Sequence, residues 1–423
     1  MIKFLHLADI HLGMENYGKI DKKTGLHSRM ADFLRTFDAA CEYAIKNKID
    51  FILFAGDAYK TRDPSPTYQR EFAKRIKKLA AAKIFVVLLV GNHDLPNAVG
   101  KANTLDIYSA LEVENVFVAR QPEVIKFGKV DNKWQLLSTI NHQPLTIDQF
   151  QIAALPWIPK TWLLSPDEYQ KKEIHESYKI MSNKLIEKVQ NLAKKVDKKL
   201  PCVFLGHLTI AGAQFGSEQK AYIGYDVVMP QDVLQKGPWQ YVALGHLHKY
   251  QVLSQNPPVI YSGSIERVDF GEEKEKKGFV DCELDTNYKN TNLCKYKFIP
   301  LPARRFLTIS CEIKEDEDPT KKILDQIEDS EIKDAVVKIK IKIPEEKHAE
   351  LKEKEIQDAL ALAYYFAGIQ KEVVRREREQ TFENIESLSI LEALEEYWKS
   401  KQLNQKRIME LKSYMQKLLE ESN

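Results

Sequence analysis

The sequence predicts an α/β protein whose first 300 residues form one layered domain, because continuous apolar runs alternate with segments of helical periodicity. The runs "IKFLHLA", "FILFAGD" and "IFVVLLVGNHD" begin at residues 2, 51 and 84. Continuous Val, Ile, Leu and Phe residues are typical of strands that are covered on both faces. We therefore expect a central sheet structure with helices packed against it.

The other elements of this domain have signals of their own. Apolar residues recur at helical spacing over 28–47. A second helix is expected over 65–82, with Ser65 as its cap and Pro66 at its first helical position. A long charged helix near 166–199 follows, and the strands "CVFLGH", "YVALGHLH", "VIYSGS" and "GFVDCEL" complete the domain.

A smaller α/β domain is predicted after residue 300, where the pattern reads strand-helix-strand-helix-strand and includes a helix in "KEIQDALALAYYFA" and a last strand in "IQKEVVRRE". In "VVKIKIKI", apolar residues alternate with Lys338, Lys340 and Lys342, so the three lysines share one face. That face is either solvated, which we favour, or in contact with nucleic-acid phosphates. Two short helices are expected at the end of the chain. The predicted domains are 1–300, 303–378 and 380–423.

Composition limits the class of protein. The chain has 423 residues, 43% of them hydrophobic, and a net charge of +2, so a nucleic-acid partner would have to meet local basic surface or metal ions. The charged start "MIKFLHLADIH" lacks a signal-peptide core, and the longest apolar run, 84–90, is too short to span a bilayer. We expect a soluble, cytoplasmic protein with free thiols. The five scattered cysteines are Cys41, Cys202, Cys282, Cys294 and Cys311.

Polar residues that can bind metal follow five of the predicted strands. They are Asp9 with His11, Asp57, Asn92 with His93 and Asp94, His207, and His246 with His248. Sites in layered α/β folds form at the carboxyl ends of strands, and residues one apart on extended backbone point the same way. A lone His or Asp there is usually a satisfied hydrogen-bonding group, but five such motifs in one order predict a metal site. The other histidines, interpreted as structural or surface groups, are His6, His27, His142, His175 and His348.

The residue types indicate the chemistry of this site. Oxygen and imidazole ligands without cysteine suit manganese, iron or zinc. One bridging carboxylate can hold two cations roughly 3.5–4 Å apart, which lowers the pKa of bound water towards about 7 and neutralises charge on a phosphate. His93, beside Asn92, is then left to donate a proton to a leaving oxygen.

The motifs D-x-H, G-D, G-N-H-D, H and G-H-x-H resemble those of the calcineurin-like metallophosphoesterase superfamily. The resemblance implies a β-sandwich flanked by helices. It also implies two metal ions, each held by four side chains, with Asp57 shared between them. One ion would be held by Asp9, His11, Asp57 and His248, and the other by Asp57, Asn92, His207 and His246.

Further segments narrow the resemblance. "GDAYKTRDPSPTYQREF" lacks the arginine-containing form of protein phosphatases and is similar to a "GD-x-F…PSP" stretch of DNA double-strand-break nucleases. "YSGSIERVDFGEE" and the order of the domains are similar to the same family, the SbcD and meiotic-recombination-eleven-type nucleases. The resemblance implies two Mn²⁺ ions, 3′ to 5′ exonuclease action on duplex DNA ends and endonuclease action on single strands, in DNA repair.

Two positions within these segments carry open alternatives. Lys60 stands where some relatives have a histidine, and it either meets the scissile phosphate or faces solvent. Arg267 either contacts substrate or forms a structural ion pair, and we favour the structural interpretation.

The resemblance also implies protein partners: an SbcC-type SMC-like ATPase and a second copy of the chain, within a heterotetramer on DNA. The helix pair after the S-x-x-E capping pattern at Ser389 would bind the ATPase near its coiled coil. Pairing of the two helices would leave Trp398, Tyr397 and Met415 only partly covered. Apolar stripes on 65–82 and 101–111 would pair two copies, unless both stripes simply cover the sheet.

Two other functions remain open. The first is a small-molecule phosphodiesterase or nucleotidase of the same superfamily, against which the roughly 120 residues beyond the first domain argue. The second is a DNA-end-binding scaffold with a vestigial metal site, against which the intact ligand set argues.

Overall fold

Two β-sheets form the centre of the first 300 residues in the computed structural model, which describes residues 1–22, 25–96, 100–131, 133–137, 148–216, 226–285, 294–374, 389–401 and 403–421. The first sheet contains, in order across it, β15 (Cys294–Pro300), β14 (Gly278–Leu284), β1 (Ile2–Leu7), β2 (Phe51–Phe54), β3 (Phe85–Leu89) and β4 (Val116–Ala119). The second contains β12 (Gln251–Gln255), β13 (Pro258–Tyr261), β11 (Tyr241–Gly245), β8 (Cys202–His207), β7 (Gln149–Leu155), β5 (Glu123–Val130) and β6 (Lys133–Leu136). A short pair, β9 (Thr209–Ile210) and β10 (Val228–Met229), lies beside them.

Helices cover the outer face of each sheet. They are α1 (Ser28–Lys46), α2 (Pro66–Ala81), α3 (Asp106–Ala110), α4 (Lys160–Leu163), α5 (Pro166–Gln170), α6 (Ile174–Lys195) and the short helix Gln231–Gln235. Along β2, Phe51 and Leu53 pack between the sheets, whereas Ile52 and Phe54 pack under α1 and α2. Both faces of the strand are therefore buried, which explains its continuous apolar run. The predicted α/β class and the helix-flanked sandwich are confirmed.

The predicted helix near 166–199 is instead two helices. A capping box between Ser165 and Glu168 begins α5, which ends at Gln170, and α6 begins at Ile174. Of these two helices, α5 has no buried residue, whereas α6 buries side chains against the second sheet, among them Met181 and Leu185. The break separates a short exposed helix from the one whose apolar stripe packs. Ser65 and Pro66 take their predicted places at the start of α2, although the Ser65 side chain makes no cap hydrogen bond.

The smaller domain is a three-stranded parallel sheet in the order β16 (Phe306–Glu312), β17 (Val336–Pro344) and β18 (Tyr365–Val374), with helices Pro319–Glu328 and Glu353–Ala359 and a 3-10 helix at Glu345–Glu350. The helix predicted through "YYFA" was wrong at its end, because Tyr365 and Phe366 pair with Val336 and Val337 of β17. Tertiary pairing overrides the local helical pattern there.

The lysine face of β17 is only partly as predicted. Lys340 and Lys342 are exposed, whereas the Lys338 ammonium lies 4.1 Å from the centre of the Phe270 ring. The face is therefore solvated at two of its three positions, and the third packs against the first domain.

The chain ends in two helices, Ile390–Ser400 and Gln405–Glu421. The Ser389 hydroxyl accepts from the Glu392 backbone N–H, and the Glu392 carboxylate accepts from Ser389, so the capping box is formed. The predicted boundary between 378 and 380 lies outside the described residues. Within the described part of the chain, no helix has the length and apolar character needed to cross a membrane. All five cysteines are free thiols.

Candidate metal centre

The carboxyl ends of β1, β2, β3, β8 and β11 bring the five motifs together. The segments that follow β1 and β2 continue side by side. The Asp9 N–H donates to the Gly56 carbonyl at 3.0 Å, and the His11 N–H donates to the Asp57 carbonyl at 3.1 Å. The His207 ring, at the end of β8, donates from Nδ1 to the Ala55 carbonyl at 2.6 Å. Residues from both sheets therefore face one another at a single edge of the sandwich.

Side chains with ligand atoms gather into groups at this edge. One group is Asp9, His11 and His248, another is Asp57, His207 and His246, and within each group these atoms lie within 4.8 Å of one another. Asp57 lies between the groups, because its Oδ2 is 3.7 Å from His11 Nε2 and 3.5 Å from His207 Nε2. This is the arrangement that a bridging carboxylate requires.

Asn92 joins the second group. Its Oδ1 lies 2.9 Å from His207 Nε2 and 3.0 Å from His246 Nδ1. The structure thus brings together all seven residues that the sequence predicts as ligands. They are Asp9, His11, Asp57, Asn92, His207, His246 and His248.

Hydrogen bonds from the outer ring nitrogens set the tautomers of three histidines. His248 Nδ1 donates to the Glu272 carboxylate at 2.8 Å, and His246 Nε2 donates to the Asp226 carboxylate at 2.8 Å. His207 donates from Nδ1 to a carbonyl as described above. Because a neutral imidazole with one donor nitrogen has a lone pair on the other, the inner nitrogens of His246 and His248 are left as bases. The Asp57 carboxylate raises the pKa of His207 despite burial, so the inner nitrogen of His207 loses a proton when it binds a cation. Carboxylate and carbonyl partners of this kind are typical of metal-binding histidines.

The two sets of ligands meet without a sulfur atom. His11 Nε2 and His248 Nε2 lie 2.9 Å apart, so two ring nitrogens converge on one point. Convergent imidazole nitrogens with buried carboxylates fit a divalent transition-metal ion. The donor set therefore fits the metal ions that the motifs predict.

The backbone is strained where the ligands lie. Asp9, His11, Asp57 and His246 have φ values of 52°, 49°, 60° and 102°. The left-handed region is costly for residues with a Cβ, and such residues persist where the surrounding structure holds them in a functional site. Gly56 and Gly91 relieve crowding, since an added Cβ would collide with the His207 ring at Gly56 and with the Asp57 carboxylate at Gly91.

Burial and neighbouring charges separate the two aspartates. Burial raises the pKa of Asp9 to about 6. Although burial also acts on Asp57, His207 and His93 hold its pKa well below the usual range of an aspartate. Burial lowers the pKa of His207, but the Asp57 carboxylate more than offsets this effect and raises that pKa to about 9. The shared carboxylate is therefore kept ionised, which suits a bridging ligand.

His93 lies beside the ligands. Its Nδ1 donates to the Lys60 carbonyl at 2.8 Å, its backbone N–H donates to Asp57 Oδ1 at 2.8 Å, and its ring packs edge-on against that of His11. His93 also falls in a third group with His11 and Asp57. Through its carbonyl, Lys60 thus orients His93, while Lys60 itself is half-buried.

Arg267 takes a structural position. Its guanidinium donates to the carbonyls of Glu272, Glu275 and Arg304 at 3.2, 2.7 and 2.9 Å. These contacts join the first domain to the connection that leads into the smaller one. The partners are backbone carbonyls, so Arg267 makes structural hydrogen bonds where the sequence suggested an ion pair.

The sequence analysis missed the role of three residues of the site. Asp94, the last residue of G-N-H-D, accepts from the backbone N–H groups of Asp57, Ala58 and Gly91 at 2.9–3.0 Å, and burial raises its pKa to about 7. Its place in the motif was the signal that could have found it. Asp226 and Glu272 offered no such signal, since each is a single acidic residue.

A cavity of about 570 Å³ opens beside the cluster. Asn92 and Trp157 line its inner wall, and the Trp157 indole lies 4.9 Å from the His246 ring centre, tilted by 33°. Arg62 and Lys101 contribute cationic side chains to its lining, with Arg120, which pairs with Asp106 at 3.1 Å. The cavity combines aromatic and cationic groups next to the ligands.

The helix-flanked double sheet and the bridged histidine–aspartate cluster define a metal-dependent hydrolase of phosphate esters. The chain belongs to the calcineurin-like phosphoesterase family, whose sequence model matches residues 2–250. Divalent-metal binding is a property of that family, and the clusters of this chain agree with it.

Proteins of similar sequence indicate which members of this family the chain resembles. The chain is 27% identical over 310 residues to the SbcD component of the SbcCD nuclease of Staphylococcus epidermidis, a match that covers 73% of this chain and 72% of the relative. It is 28% identical over 276 residues to the SbcD component of the SbcCD nuclease of Escherichia coli, covering 64% of this chain and 62% of that relative, less than two thirds of its length. It is 27% identical to "DNA double-strand break repair protein Mre11" of Archaeoglobus fulgidus over 157 residues, 32% of this chain and 34% of the relative.

Proposed function

We propose that this protein is a two-manganese DNA nuclease that processes DNA ends in double-strand-break repair, in the cytoplasm with the nucleoid and together with an SbcC-type ATPase. The observation that carries the proposal is the position of Asp57 Oδ2 between His11 Nε2 and His207 Nε2, at 3.7 and 3.5 Å. The names of the relatives support DNA as the substrate.

Each ligand set has its own part of the site. Asp9, His11 and His248 would hold one ion, and Asn92, His207 and His246 would hold the other, with Asp57 shared between them. When bound, such a pair of ions lowers the pKa of water and neutralises charge on the phosphate.

His93 acts as the proton donor to the leaving oxygen. Because its Nδ1–H is donated to the Lys60 carbonyl, the proton for the leaving oxygen must come from Nε2 of the doubly protonated ring, which is left neutral after the transfer. The hydrogen bond from the His93 backbone to Asp57 Oδ1 places this ring at a set position relative to the bridging carboxylate.

The cavity beside Asn92 supports a nucleic-acid substrate. Its cationic residues Arg62 and Lys101 suit phosphates, and the Trp157 and Trp162 side chains suit stacking with bases. A volume of about 570 Å³ also accommodates a small ester, so substrate class needs an experiment.

The test compares two substrates with the purified protein and Mn²⁺: an end-labelled DNA duplex and bis-p-nitrophenyl phosphate. We expect shortening of the duplex from its 3′ ends and cleavage of single strands. Turnover of the small ester without DNA cleavage, even with the ATPase added, would instead assign the protein as a small-molecule phosphodiesterase. Binding to DNA ends without turnover of either substrate would identify a scaffold.

The terminal helices are proposed as the ATPase-binding segment. They pack on each other, with Trp398 and Ile408 buried, so the expectation of partial cover was wrong for Trp398. It is confirmed for Tyr397, which is 48% exposed, and for Met415, which is half-buried. Ile390, Met409 and Tyr414 remain 64%, 68% and 69% exposed. Exposed apolar side chains on a helix pair support docking of a helical partner.

Deleting residues 385–423 should abolish association with an SbcC-type ATPase and leave manganese-dependent cleavage of short DNA intact. Ile390→Glu with Tyr414→Glu should weaken association in the full-length chain, because both side chains are exposed and a charge would be buried at the interface. Co-purification with the ATPase checks both, and Glu396→Gln, on the same helix pair, is the control. Full-strength co-purification of the truncated protein would place the main interface elsewhere.

The proposed homodimer rests on fewer residues than the sequence suggested. In α2, Phe72, Ile76 and Leu79 are buried against the first sheet. At α3, Leu105 and Tyr108 are buried too. Of the remaining side chains of these stripes, Tyr68 is half-buried, and Ile107 and Leu111 are 51% and 68% exposed.

Ile107→Glu with Leu111→Glu should therefore convert a dimer into a monomer, since the charges would meet across the two-fold axis. Light scattering at micromolar concentration measures the mass. The matched control is Ile174→Glu, which changes an isoleucine of similar exposure at the start of α6. A wild-type protein that is already monomeric would contradict the proposed homodimer.

A further inference from the structure

A buried acid–base pair holds the ligand His248 from two sides. Glu272 Oε1 accepts from His248 Nδ1 at 2.8 Å, and its Oε2 accepts from Lys277 Nζ at 3.0 Å and from the Val268 N–H at 2.8 Å. Lys277 Nζ also donates to the His248 carbonyl at 3.0 Å. Both Glu272 and Lys277 are buried. The ring and the backbone of His248 therefore depend on the same two residues.

The smaller domain contacts residues 269–277, the segment that contains Glu272 and Lys277. The Glu273 carboxylate accepts from the Thr308 N–H at 2.9 Å and from its hydroxyl at 2.6 Å. Phe270 packs edge-on against Phe306, with ring centres 5.0 Å apart, and carries the Lys338 ammonium over its face at 4.1 Å. Thr308 and Lys338 are partners in the register of β16 and β17, so neighbouring positions on these two strands make these contacts.

Neighbouring residues of the segment 269–277 thus face opposite ways. Phe270 and Glu273 contact the smaller domain, whereas Glu272, at the end of the 3-10 helix Phe270–Glu272, contacts His248. A short helical turn transmits displacement because its residues cannot move independently. A shift of β16 and β17 would therefore move Glu272 relative to His248.

We propose that docking of the smaller domain sets the metal affinity of the site formed by Asp9, His11 and His248, with Glu272 and Lys277 as positioning residues. The inference rests on the ligand sets of the proposed function. Carboxylates that hold metal-binding histidines fix the ring orientation and raise its basicity, and their loss typically costs about 10–100-fold in metal affinity. The histidines of the other ligand set are oriented by the Ala55 carbonyl and by Asp226, which lie outside the segment 269–277.

The test measures Mn²⁺ binding to each site by calorimetry and by electron paramagnetic resonance of the metal pair. Glu272→Gln should weaken one of the two sites about 10–100-fold and leave the other unchanged. Glu272→Gln also breaks a buried ion pair and could destabilise the fold. A second variant therefore changes only the contacts between the smaller domain and residues 269–277. Thr308→Val with Lys338→Met should weaken the same site by about 10-fold, the lower end of this range. Lys340→Met, on the same face of β17 but exposed, should have no effect.

Three results would overturn the inference. Unchanged affinities at both sites in the double variant would show that the smaller domain does not reach His248. Equal losses at both sites, with a lower melting temperature of the metal-free protein, would show general destabilisation. Loss at the site of His207 alone would reverse the assignment. Failure of the ligand sets themselves is distinguishable, because the wild-type protein would then bind fewer than two ions.

Discussion

Asp57→Asn should abolish DNA cleavage and leave no more than one tightly bound metal ion per chain. The Asp57 carboxylate lies between the two ligand groups, with Oδ2 3.7 Å from His11 Nε2 and 3.5 Å from His207 Nε2. An amide of the same size keeps the shape but removes the negative charge that offsets repulsion between two cations. DNA binding should remain, because the cationic side chains of the cavity are unchanged.

Metal analysis after dialysis, together with cleavage of a labelled duplex, checks this result. The control is Asp232→Asn, which changes an exposed aspartate paired with Lys236 on the short helix Gln231–Gln235. It should retain two ions and full activity. Two tightly bound ions in the Asp57→Asn protein would contradict the bridging role of Asp57.

His93→Ser should separate chemistry from metal binding. His93 takes its orientation from the Lys60 carbonyl and from Asp57, and loss of a general acid typically costs about 10²–10⁴-fold in rate. We expect two bound ions, normal DNA binding and a fall in cleavage rate of about that size. Single-turnover cleavage and metal content, measured on the same preparation, are the readouts.

The contrary outcome is specific, because His93 also groups with His11 and Asp57. If metal content falls in parallel with activity, His93 is a ligand and the proton donor must be sought elsewhere. His348→Ser provides the control, since His348 contacts Lys371 on the smaller domain. Substrates with a better leaving group should also restore part of the rate only if His93 donates a proton to the leaving oxygen.

The position of Glu272 gives the smaller domain a route to the metal centre. Arg304 reinforces that connection, because its guanidinium bonds the buried Asp32 of α1 and the Asp334 carbonyl beside β17. The Tyr17 ring packs against Phe270 and Phe306 together. These contacts join the smaller domain to the first one beside the segment that carries Glu272.

The sequence by itself determined β1, β2, β3, β8, β11, β13 and β14, and it placed the seven candidate ligands after five of these strands. It did not predict β4, β5, β6, β7, β12 or β15. Both faces of β2 are covered, so its side chains are all apolar and its run can be recognised in the sequence. Asp9 and Asp57 follow the ends of such runs directly. The motifs are local, so each ligand lies within a few residues of a strand that can be recognised. The same locality made the Ser389 capping box predictable.

Only the tertiary structure decided which residues support the ligands and where helices give way to other structure. Asp226 and Glu272 reach His246 and His248 from outside the ligand motifs, and their hydrogen bonds arise from packing. Tyr365 is part of a strand because its backbone pairs with Val336 of β17. The Lys338 ammonium packs on the Phe270 ring, a partner that the alternating pattern of β17 does not indicate. Local patterns carry no information about partners that are distant along the chain, so these outcomes depended on the folded arrangement.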